Sequence, residues 1–211
     1  MSRIMSVGQQ LFSPTAQKLA LPIVGYILIM FFLIQGPLFF PDQWARWETV
    51  TLIYAMMLLP ALMMSFIGPI QLPAWKVFLW FAGTSVGGFL LFKTAFAGAG
   101  AANYGFPVGG IIPTLIFQAF VITYAEESMF RGFLLEIGKS RVGIGIFMSS
   151  IMFSVFHLAA YSVNGLNFFA FVVAFLMGIA FGFVYIATRE FAGIGIVWGL
   201  HLAFNAALLF G

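Results

Sequence analysis

Seven runs of about twenty apolar residues follow one another along this 211-residue chain. They lie near residues 19–38, 49–68, 77–97, 114–138, 142–162, 168–188 and 192–210, separated by short polar, Pro or Gly breaks. Such a run matches the ~20 residues with which an α-helix crosses ~30 Å of hydrocarbon, satisfying its own backbone hydrogen bonds on the way. The expectation is an all-α, polytopic transmembrane helix bundle of about seven spans, one membrane domain over residues 1–211. A soluble fold is excluded by composition. Hydrophobic residues make up 63% of the chain and charged residues 7%, too little polar cover for a surface in water. The absence of cysteine excludes a disulfide scaffold, and a net charge of +3 with no basic run excludes a nucleic-acid binder.

Prolines mark weak points within the runs. Pro22 interrupts the first, and Pro60 kinks the second by removing a backbone hydrogen bond. The first run is too long for a signal-peptide core and no small-residue cleavage site follows it, so it is expected to be retained. Arg3, Lys18, Lys76, Lys139, Arg141 and Arg189 fall on one side of the expected membrane, Arg46 and Lys93 on the other. The positive-inside rule then places the N-terminus in the cytoplasm, most simply at the cell membrane, and the C-terminus outside. Three GxxxG pairs, Gly83/Gly87, Gly178/Gly182 and Gly195/Gly199, are expected to let helices approach closely. The Gly- and Ala-rich stretch 98–110 lacks the lysine and the strand–helix setting of a phosphate loop, and no internal repeat is visible.

Against this background the ionisable residues stand out, since each costs about 2.5–3.5 kcal/mol on insertion scales and such residues are functional by default. The fourth run carries Glu126, Glu127 and Arg131, the fifth His157, and the seventh His201 and Asn205. Glu127 and Arg131 are i and i+4 with the acid first, the favourable order for a pair on one face. Glu126 is turned about 100° from Glu127, which leaves it outside that pair and free for chemistry. His201 and Asn205 are also i and i+4 and point into one space. Together these side chains hold a base, two acids or metal ligands, and an amide donor. By residue counting Glu126 and His201 lie near the membrane midplane, and His157 nearer the outer end of its span.

Enumeration narrows the chemistry. The sole aspartate, Asp42, lies in a loop, so no aspartyl dyad forms. Neither histidine is followed by glutamate, which excludes an HExxH zinc site. A serine mechanism through Ser85 would leave both glutamates unexplained. Hydrolysis by a glutamate-activated water with histidine help remains. The EExxxR pattern of Glu126–Arg131, the FxxxH of Phe153–His157 and the HxxxN of His201–Asn205, in that order on separate late spans, resemble the CAAX prenyl protease type 2 family, also called the CPBP or Abi intramembrane proteases. The resemblance covers about residues 114–210, the expected catalytic core, and no part of spans one to three.

The resemblance implies an intramembrane endopeptidase acting on membrane-anchored, lipidated or prenylated protein and peptide substrates. It makes Glu126 the general base on water, His157 and His201 the groups that position that water or a metal holding it, and Asn205 a donor to the oxyanion. Glu127 and Arg131 support the site. A divalent metal such as zinc, with candidate ligands Glu126, His157, His201 and Asn205, and a metal-free acid–base site both fit this residue set. Two other classes would also place ionisable groups at midplane: a proton-coupled transporter, whose usual inverted repeats are not visible, and a non-catalytic membrane scaffold.

Overall fold

Backbone groups in hydrocarbon must bond within their own segment, and a chain this apolar is driven to helix. The computed structural model describes residues 53–58, 72–95, 110–135, 141–161 and 168–210, with backbone alone at 158–161 and 210. Among the described residues there is no strand. The elements are α1 (residues 53–58), α2 (Ala74–Ala95), α3 (residues 111–135), α4 (Val142–Tyr161), α5 (Phe168–Ala192) and α6 (Gly195–Phe210). Helices α2 and α5 are long and apolar enough to cross a bilayer, and Val142–His157 and Gly195–Leu209 are shorter apolar stretches. Within α2 only Phe81 and Gly88 are buried. Trp75, Leu79, Val86, Leu90 and Leu91 stand 60–66% exposed, an apolar face that water solvates poorly.

The expected run at 77–97 corresponds to α2, 114–138 to α3, 142–162 to α4, 168–188 to α5 and 192–210 to α6. The run at 19–38 lies outside the described residues, as does 49–68 apart from α1. One boundary moves for a physical reason. Helix α5 continues through Arg189 and Glu190 to Ala192, because charged residues with straight side chains are good helix formers and do not end a helix. What ends it is Gly193, whose φ of 56° lies in the left-handed region that glycine adopts freely. Its N–H donates to the Arg189 carbonyl at 2.9 Å, and α6 starts two residues later.

Helix α6 packs chiefly on α2, and α4 on α5. Small residues make both approaches possible. A Cβ at Gly199 would overlap Thr84 Oγ1 and lie 2.5 Å from the Phe81 carbonyl oxygen, and one at Gly195 would overlap the Val77 carbonyl oxygen. Gly178 and Gly182 sit against Ser150 and Ile146 of α4, where added Cβ atoms would fall 2.9 and 3.0 Å from their nearest neighbours. At Gly83 and Gly87 an added Cβ would meet none of the described residues, and the α2 glycine in close contact is Gly88, against Ala203 and Leu200. Gly199→Ala is therefore expected to force α2 and α6 apart, at roughly 1–3 kcal/mol for overpacking, whereas Gly83→Ala leaves thermal unfolding in detergent unchanged. Equal melting temperatures for the two variants would refute the close approach.

Candidate active site

Helix α3 departs from α-helical geometry at residues 118–123 and again at 128–135, where its hydrogen bonding widens to the π-helical i→i+5 pattern. Such turns are uncommon and frequent at functional sites. They flank the α-helical turn Tyr124–Glu127, which carries both glutamates. Backbone carbonyls released in the first wide turn find side-chain donors. Thr123 Oγ1 donates to the Gln118 and Ala119 carbonyls at 2.9 and 3.2 Å, and Trp198 Nε1 of α6 donates to the Ala119 carbonyl at 2.7 Å. The indole ties α6 to α3 three residues before His201. On the other side, Ser149 Oγ of α4 donates to the Phe130 carbonyl at 2.7 Å. Helices α3, α4 and α6 are thus held together around the acidic turn.

Glu127 and Arg131 form an ion pair, with Arg131 Nη1 donating to Glu127 Oε1 at 3.1 Å and both side chains at most 1% exposed. The guanidinium also lies 4.4 Å from the ring centroid of Phe153, a favourable cation–π contact. Glu127 has a second partner that spacing along one helix could not reveal: His201 Nδ1 donates to the same Oε1 at 2.7 Å. A carboxylate already paired with arginine accepts and does not donate, so Nδ1 carries a proton, and the neutral tautomer with that proton would have its lone pair at Nε2. The same holds at His157, whose Nδ1 lies 2.8 Å from the Phe153 carbonyl oxygen, an acceptor only. Phe153 packs on both imidazoles, at 4.2 and 5.8 Å between centroids.

Both Nε2 atoms face Glu126. His201 Nε2 is 3.5 Å and His157 Nε2 4.0 Å from Glu126 Oε2, an oxygen that is buried and has no hydrogen-bond partner among the described residues. These separations exceed the usual hydrogen bond of about 2.7–3.2 Å. Glu126 Oε2 and the two Nε2 atoms, from three helices, therefore converge on one space. Glu126 is not a bare carboxylate, however: its Oε1 accepts from Tyr54 OH of α1 at 2.8 Å. His157 keeps 18% of its side chain exposed, against 3% for Glu126 and 5% for His201, so the approach to the cluster is along His157.

Asn205 lies one turn beyond His201 on α6, and its Nδ2 donates to Gln118 Oε1 at 3.2 Å. Tyr54 and Gln118 are thus two polar neighbours of the site that motif spacing did not single out. Each is a hydrogen-bonding side chain within an apolar run, which was the available signal.

Residues 108–207 match the family described as Type II CAAX prenyl endopeptidase Rce1-like. This segment is similar to Rce1-like domains. It contains Glu126, Glu127, Arg131, His157, His201 and Asn205, and leaves α1 and α2 outside. No curated protein and no solved structure matches the chain. The Rce1-like family is a membrane-embedded protease family, and the match supports an enzyme over a transporter or scaffold.

Proposed function

We propose that the Rce1-like domain is the catalytic core, over about residues 114–210, of an intramembrane endopeptidase, and that Glu126 activates the water that attacks the peptide carbonyl. The observation that carries this reading is the convergence of Glu126 Oε2 with the two Nε2 atoms, at separations of 3.5 and 4.0 Å. A water between them donates one proton to Glu126 and the other to a histidine, which aims an oxygen lone pair outward. As its oxygen bonds to the substrate carbonyl carbon, Glu126 takes one proton. Collapse of the tetrahedral intermediate breaks the C–N bond, and that proton passes to the leaving amine, so Glu126 returns to carboxylate. Glu127 holds His201 in the tautomer this geometry needs, Arg131 neutralises Glu127, and Asn205 supplies an amide N–H to the oxyanion. A divalent cation such as zinc, where bound, would be held by Glu126, His157 and His201, whose ligating atoms converge here, and would polarise the attacking water.

The substrate class follows the family: a membrane-anchored protein or peptide, prenylated near its C-terminus. The surrounding chain is a single bundle of about seven spans in the cell membrane with a cytoplasmic N-terminus. The test is cleavage of an internally quenched farnesylated peptide by the purified full chain in detergent, with the released tripeptide identified by mass spectrometry. Cleavage is the expected result, and repeating the assay after exhaustive chelation separates a metal-held water from a metal-free one. Absence of cleavage of this peptide and of unprenylated membrane-anchored peptides would remove the protease reading, and loss of activity together with bound zinc would make the histidines metal ligands.

A further inference from the structure

We propose that Tyr54 is a positioning residue of this active site, contributed by a helix outside the Rce1-like segment. The inference rests on the reading of Glu126 as the base. A buried carboxylate needs hydrogen-bond donors, and the arginine of this site is already engaged with Glu127. The donor to Glu126 Oε1 is the Tyr54 hydroxyl at 2.8 Å, 72 residues away in sequence. Because the two carboxylate oxygens are rigidly related, anchoring Oε1 turns Oε2 toward His157 and His201. Without the anchor, the carboxylate can rotate about its Cγ–Cδ bond and take Oε2 out of the cluster.

The anchor is itself held in place. The Tyr54 ring meets Phe156, the neighbour of His157, edge to face at 6.1 Å between centroids. Ile53 and Met57 on either side are buried in one cluster with Ala125, Met129, Phe130, Phe153 and Phe156. The hydroxyl is also the one polar side-chain group among residues 53–58, in an otherwise wholly apolar turn. A tyrosine there, where phenylalanine would pack equally well, points to the hydroxyl as the reason for the residue. The segment that carries the catalytic motifs is accordingly incomplete, and α1 supplies its missing donor.

Tyr54→Phe in the full chain keeps the ring and deletes only the donor. Against the farnesylated peptide, kcat is expected to fall by about 10- to 100-fold, the scale of a misplaced reacting group, with KM within about twofold and the folded state retained at a melting temperature lowered by a few degrees, since a buried acceptor loses its donor. A readout independent of turnover accompanies it. In protein labelled with ¹³C-tyrosine, the resonance lost in Tyr54→Phe belongs to Tyr54, and it is expected to shift in Glu126→Gln, where the neighbouring charge disappears. An unchanged kcat in Tyr54→Phe, a fall in kcat that accompanies loss of the folded state at the assay temperature, or a Tyr54 resonance indifferent to Glu126→Gln overturns the inference. An inactive Glu126→Gln alongside any of these leaves the base assignment standing, whereas an active Glu126→Gln removes that assignment and the Tyr54 inference with it.

Discussion

Glu126→Gln is expected to fold as the wild type does and to lose at least about 100-fold in turnover, the usual contribution of a general base. The amide is nearly isosteric, and its oxygen still accepts from Tyr54 OH, which holds Oε1 at 2.8 Å in the native site. What changes is the atom facing the two histidines. An NH₂ in place of Oε2 donates to their Nε2 lone pairs and cannot take a proton from water. The variant should therefore melt at or above the wild-type temperature while its kcat collapses. Wild-type turnover in Glu126→Gln would show that another group activates the water.

Arg131→Ala should act in a different manner, through stability first. The guanidinium is 1% exposed, pairs with a fully buried Glu127 and lies over Phe153. Its removal leaves a buried carboxylate with His201 as its remaining hydrogen-bond donor among the described residues. Breaking a buried pair in this way costs about 3–5 kcal/mol. At roughly 2–4 °C per kcal/mol for a chain of this size, the melting temperature should fall by roughly 6–20 °C. Activity should fall as well, since Glu127 then draws His201 without a counter-charge. His201→Ala supplies the contrast: Glu127 keeps its arginine, so turnover is lost with a much smaller change in melting. Thermal unfolding in one detergent compares all three, and equal melting temperatures for Arg131→Ala and wild type would contradict the pairing.

The helices were legible wherever an apolar run met a true helix stop. Helices α2, α4 and α6 begin and end within about three residues of the runs read from sequence, because Pro73 and the Gly193 turn break the chain where the apolar pattern also breaks. The end of α5 was not, because the charges at Arg189 and Glu190 interrupt hydrophobicity but not helix. The wide turns of α3 leave no mark in a run whose residues are apolar on nearly every side, so a change from 3.6 residues per turn has no pattern to disturb. At the site, spacing within one helix pairs Glu127 with Arg131. It is blind to the bond between Glu127 and His201, which joins residues 74 apart, and to that between Tyr54 and Glu126, 72 apart. The motifs named residues, whereas the partners of those residues came only from three-dimensional contact.

The backbone contact at Gly199 has a bearing on where such a protein can work. Bilayers differ in thickness, and helices answer a mismatch by tilting. Helix α2 leaves most of its apolar surface exposed and is the element such a mismatch would press upon. With Gly195 and Gly199 seated on the backbone of α2, however, α6 has no side-chain cushion through which to slip. The two tilt as one body, and His201, two residues from the contact, moves with them. Indole and imidazole then carry that movement to α3 through Trp198 and His201 together. Strain pressed on α2 would thus reach every helix that builds the site, and would act on their shared geometry and not on one of them alone.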